Sequence, residues 1–123
     1  MNSLSSENEP GSGSPRQCVG TGKVIDGLKY GHVEVTVFPR PELSDLSVVW
    51  HVQGGTIPEA ERGAVVEAAQ RFIETAATGQ LRCGVRVFIE GGSFHDTLDS
   101  AHEEAVRLAI DQALRRGNFY RQV

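Results

Sequence analysis

The chain has 123 residues, a formal net charge of −4, 39% hydrophobic residues and two cysteines. That length holds one domain, and no apolar run approaches the ~20 residues a membrane-spanning helix needs. The acidic balance argues against strong nonspecific RNA binding, which calls for lysines and arginines gathered on one face.

Residues 1–17, MNSLSSENEPGSGSPRQ, are mostly Ser, Gly, Pro, Asn and Glu. They hold too little apolar surface to offset ordering entropy. A disordered tail over 1–17 ahead of a folded domain over 18–123 is expected. A domain of about a hundred residues buries roughly 60 to 70% of its unfolded surface, enough to hold together without metal or disulfide. Cys18 and Cys83 lie far apart in sequence and no secretory apolar region precedes them. Reduced thiols in a cytoplasmic protein are the expectation.

A short strand from Cys18 to Ile25 is interrupted by Gly20 and Gly22. Asp26-Gly27 then reads as a turn. Tyr30 to Phe38 alternates Val33, Val35 and Val37 against Glu34 and Thr36, the period of a strand with one buried face. Pro39 and Pro41 end it. Leu46 to Val52 gives a third strand, with Val48, Trp50 and Val52 on one side, and a hairpin between the second and third strands is expected. Gly54-Gly55 stops that strand. Thr56-Ile57-Pro58-Glu59 has the spacing of a capping box with proline in the first turn. The helix that follows carries Val65, Ala68, Ala69, Phe72, Ile73 and Ala76 on one stripe to about Ala77, with Gly79 as its stop.

Leu81, Cys83, Val85, Val87 and Ile89 alternate in a fourth strand, followed by an exposed polar turn, Gly91-Gly92-Ser93-Phe94-His95-Asp96. Ser100 to Glu103 repeats the capping-box pattern. The second helix carries Ala105, Leu108, Ala109, Ala113 and Leu114, with Val106 and Ile110 alongside. Arg115-Arg116 suit its negative end, and Gly117 closes it. The order β-β-β-α-β-α predicts an α+β two-layer sandwich, two helices on one face of a four-stranded sheet.

Three motifs stand in register along this frame: Tyr30-Gly31-His32-Val33, then Gly54-Gly55-x-Ile57-Pro58, then Gly92-Ser93-Phe94-His95-Asp96 followed by Asp99-Ser100. In order and rough spacing they resemble domain IV of bacterial elongation factor G, over about residues 20–117. The resemblance implies the fold of the second domain of ribosomal protein S5, with a left-handed strand-helix-strand crossover. In that family the domain enters the decoding site, and two loops build its tip. Gly92, Ser93, Phe94, His95 and Asp96 match the second loop, and His95 matches the histidine the family presents to tRNA and mRNA. The first loop departs from the pattern: the stretch from Lys23 to Lys29 is shorter than the family's glycine-rich segment and lacks its arginine. No Gly-x-x-x-x-Gly-Lys-Ser/Thr is present, so neither nucleotide binding nor GTP hydrolysis is expected.

The expected contact set is therefore Lys29, Tyr30, His32, Ser93, Phe94, His95 and Asp96, directed at the ribosome or RNA. The alternative is a protein-interaction or orphaned domain that keeps the fold but not the decoding-site role. His32 and His51 are most simply sheet histidines, and His102 a first-turn helix residue. No closely spaced Cys or His pairs suggest zinc, and no metal or cofactor is expected. A hydrolase on Ser93, His95 and Asp96 would need those groups to converge in a cleft, which adjacent loop residues rarely do. A non-catalytic, membrane-free module is the expectation.

Overall fold

Val33, Val35 and Val37 do lie fully buried on one face of a central strand. The computed structural model describes residues 13–122. In chain order it holds β1 (Cys18–Asp26), β2 (Lys29–Arg40), β3 (Leu46–Trp50), a 3-10 turn (Glu59–Glu61), α1 (Arg62–Ala77), β4 (Gly84–Ser93), β5 (Asp99–Ser100) and α2 (His102–Arg116). The sheet order is β1-β2-β4-β3, with β5 paired to the start of β2. Val85, Val87 and Ile89 of β4 join the β2 valines in a core closed by Val65, Ala69 and Ile73 of α1 and by Val106, Ile110 and Leu114 of α2. The fold is thus an α+β two-layer sandwich. The 1–17 tail expectation lies, for residues 1–12, outside the described residues. Arg16, within the described part, donates its N–H to Gly117 O at 2.9 Å.

Several local expectations are corrected. The second and third strands form no hairpin: β4 lies between them, antiparallel to β2 and parallel to β3. The hairpin is instead β1–β2, closed after Asp26 by Gly27 at positive φ and Leu28. Pro39 does not end β2 but pairs with Val85. Neither capping box caps a helix. α1 starts only at Arg62, and α2 has Ala101 at its N-cap position, both without a side-chain cap. Thr56 and Ser100 spend their hydroxyls elsewhere: Thr56 Oγ1 accepts from Gly92 N at 3.2 Å, and Ser100 Oγ faces Glu61 and His102. Leu81 precedes β4 and bridges to Tyr120, while Gly91, Gly92 and Ser93, read as turn, belong to β4 and pair with Glu34, Val33 and His32. Leu108 leaves the core stripe and is 51% exposed.

Gly20 and Gly22 are the reason α2 can lie on the sheet edge. A Cβ at Gly20 would meet the carbonyl of Ala109, and one at Gly22 the carbonyl of Ala105. The alanines on α2 and the glycines on β1 thus bring two backbones into contact. At Gly20 and Gly22 no side chain separates the two backbones. Gln112 of α2 also reaches the edge, accepting from Thr21 N at 2.8 Å, and occupies a donor that an edge strand would otherwise offer to another chain.

Candidate functional site

The site grows from the short β5. Its parallel pairing sets Lys29 against Asp99 and Tyr30 against Ser100. Asp99 N–H donates to Leu28 O at 2.8 Å and Ala101 N–H to Tyr30 O at 3.0 Å. Backbone bonds therefore staple the loop 94–98 beside the β1–β2 hairpin, and the two loops share one end of the sheet. Phe94 is 46% exposed, Ile25 68% and Leu28 76%.

Three of the expected residues form one hydrogen-bonded group. Ser93 Oγ lies 2.7 Å from Tyr30 Oη and 3.0 Å from His32 Nδ1. His32 Nε2 then reaches Glu34 Oε2 at 3.5 Å. Hydroxyl, imidazole and carboxylate stand in the order of a nucleophile relay, but the last contact is too long for a hydrogen bond that orients the base. Ser93, His95 and Asp96 do not converge: His95 Nδ1 turns back to Thr97 Oγ1 at 3.1 Å. Tyr30, Phe94, His95 and Asp96 do meet around a cleft of about 330 Å³, completed by Pro58, Glu61, Leu98 and Ser100. Lys29, His32 and Ser93 stay outside its lining, and the Lys29 ammonium sits 3.9 Å from Glu104 in an exposed pair of small energetic consequence.

Behind this cleft lies a residue whose pattern in the chain marks only a first helical turn. His102 is buried, with its Nε2 2.8 Å from Ser93 O and its Nδ1 2.7 Å from Glu61 Oε1 and 2.6 Å from Ser100 Oγ. A carbonyl only accepts, so Nε2 carries a proton. Ser100 Oγ in turn donates to Glu61 Oε1 at 2.5 Å. One imidazole thus holds both ends of the loop, Ser93 and Ser100, and ties them to the turn before α1. A signal for His102 exists in the chain, since it continues the stripe of Ala105, Val106 and Ala109 at helical spacing. Glu61 carries none, because its partner is 41 residues away.

A larger cleft of about 850 Å³ lies toward the C-terminal end of α2, against Phe72, Gln80, Asp111, Arg115, Tyr120 and Arg121. Its polar groups answer one another. Tyr120 Oη donates to Asp111 Oδ1 at 2.6 Å, Arg115 bonds Asp111 Oδ2 at 2.9 Å, and the guanidinium stands 5.3 Å from the Tyr120 ring. Burial, then the hydrogen bond and charge of Asp111, hold the Tyr120 phenol well above its usual range. Cys18 and Cys83 are both free thiols. Among the described residues no cluster of His, Cys, Asp and Glu could hold a metal ion, and no helix is long and apolar enough to cross a membrane.

No family model matches the chain. In structure it is similar to a Thermus thermophilus protein, ttk003000868, known from a crystal structure, with a TM-score of 0.58 and 26% identity. The match covers 82% of this chain and 15% of the other, so the chain spans only a small part of that protein's length.

Proposed function

We propose that this chain is a non-catalytic, cytoplasmic module related to domain IV of elongation factor G, and that it contacts the ribosome or RNA through the loop around His95. The observation that carries the reading is the β5–β2 pairing, which sets the loop bearing His95 beside the β1–β2 hairpin at one exposed end. The three sequence motifs of the family resemblance fall in this region: His32 and Ser93 pair across β2 and β4, and Gly92 N bonds Thr56. The likeness to the Thermus thermophilus structure, which extends over most of this chain, supports a shared fold with that longer protein. Tyr30 and Phe94 offer ring faces on which unpaired bases stack.

The test is cosedimentation with ribosomes over a salt series. The expected result is association that falls with salt and is weakened several-fold by His95→Ala. Binding that is indifferent to His95→Ala and Phe94→Ala sinks the tip as the contact surface.

A second reading has its own supporting observation. Ile25, Leu28 and Phe94 are exposed apolar side chains at the same end, and Lys23 and Lys29 are offset there by Asp26, Asp96 and Asp99. Such a surface also suits a protein partner. On this reading the domain keeps the fold without the decoding-site role, and it does not cosediment with ribosomes.

A further inference from the structure

We propose that the cleft at the tip receives an arginine side chain presented by a basic protein partner. This rests on the reading that the tip is the contact surface, and it names the chemistry of one contact there. Of the eight residues lining the cleft, none is Lys or Arg, and the ionisable ones other than Tyr30 are Glu61, His95 and Asp96. A phosphate entering the cleft would meet two carboxylates and no lysine or arginine. A guanidinium meets opposite charge, in a chain whose net charge is itself −4.

The walls fit the same group. Tyr30 and Phe94 supply aromatic faces, and Pro58 and Leu98 complete an apolar lining. A planar, weakly hydrated guanidinium stacks on such faces better than a compact ammonium does. The volume of about 330 Å³ is at the lower end for small-molecule sites, enough for one long side chain.

Glu61 is the group that makes the cleft a prepared one. Its Oε1 is engaged from behind by Ser100 Oγ at 2.5 Å and His102 Nδ1 at 2.7 Å. His102 is fully buried and its other nitrogen is spent on Ser93 O. The carboxylate is therefore held in one orientation, and Oε2 has no hydrogen-bond partner among the described residues. A fork of N–H donors from arginine finds one fixed acceptor in Glu61 and a second, exposed one in Asp96. Because Glu61 is ordered before the partner arrives, little side-chain entropy remains to be lost on binding.

The experiment is an NMR titration of the full chain with a blocked pentapeptide, Gly-Ser-Arg-Ser-Gly, against the same peptide with citrulline for arginine and against a uridine hexanucleotide. Citrulline keeps the shape and removes the charge. The expected result is saturable shifts at the amides of residues 94–100, with the citrulline peptide weaker by about tenfold. Asp96→Asn and Phe94→Ala, both on exposed positions, each weaken the arginine peptide by about three- to tenfold. Equal binding of the two peptides, or no shift at these amides with either, overturns the proposal. So does a hexanucleotide that moves the same amides more strongly, though that result leaves the tip reading intact. Loss of ribosome cosedimentation with undiminished arginine-peptide binding would instead fault the ribosomal reading and keep the cleft.

Discussion

The β1–α2 seam and the tip loop belong to the same hairpin layer, yet they use their residues in opposite ways. In the seam, Gly20 and Gly22 remove side chains so that strand and helix backbones touch at Ala105 and Ala109. At the tip, Phe94, Leu28 and Ile25 keep theirs and leave them in solvent. The seam gains stability by excluding everything. The tip forgoes burial, and its order comes from the backbone bonds of β5 and from the buried His102. Close packing and exposed apolar surface are thus separated along one strand pair and the loop beside it.

Substitutions measure that separation, and the seam should give the largest effect. Gly22→Val drives a branched side chain into helix backbone that cannot yield, and should cost at least about 3 kcal/mol, seen as a fall in Tm of more than about 10 °C. A mild effect would mean that α2 can slide off β1 and that the seam is not rigid.

His102→Ala comes next and joins the two regions. It removes a buried ring and leaves Ser93 O and Glu61 without their partner, for a cost of about 2–4 kcal/mol in urea denaturation. Hydrogen exchange should quicken at residues 93–101 more than in β1. Uniform loosening would show that His102 supports the fold in general and not the loop.

Tyr120→Phe tests the far end of α2 and should cost about 1 kcal/mol through the lost bond to Asp111. The phenol's folded pKa is raised above its unfolded value. The folded state therefore binds that proton more tightly, and the stability it contributes is present below the unfolded pKa, about 10. It is lost as pH rises above that value toward the folded pKa. Wild type should lose stability in alkaline denaturation series where Tyr120→Phe does not.

His95→Ala should have the smallest effect on folding, within about 0.5 kcal/mol, because its imidazole bonds only Thr97 in its own loop. A large loss of stability would make His95 a structural residue and remove it from the proposed contact surface.

Much of this was legible in the chain. The valines of β2, the alternation of Val85, Val87 and Ile89, and the α1 stripe follow from period alone, because burial of one face imposes it. The exposed loop at Phe94 to Asp96 followed from glycines and polar residues next to a strand. The strand order did not follow, because parallel pairing of β3 with β4 depends on where the α1 crossover returns the chain. The capping boxes misled for a related reason. Thr56 and Ser100 had the right spacing for helix N-termini, but tertiary partners at Gly92, Glu61 and His102 claimed their hydroxyls. Phe119, fully buried past the end of α2, had no periodic neighbours to announce it.

Local pattern, then, determined the class of fold, the buried faces of its strands and helices, and the loop that bears His95, since each depends on residues a few positions apart. Only the tertiary structure decided that Gly20 and Gly22 are packing residues and not strand breaks. It alone brought Glu61 to His102 and set Leu28 beside Asp99, because those contacts join segments whose separation in sequence carries no periodic signal.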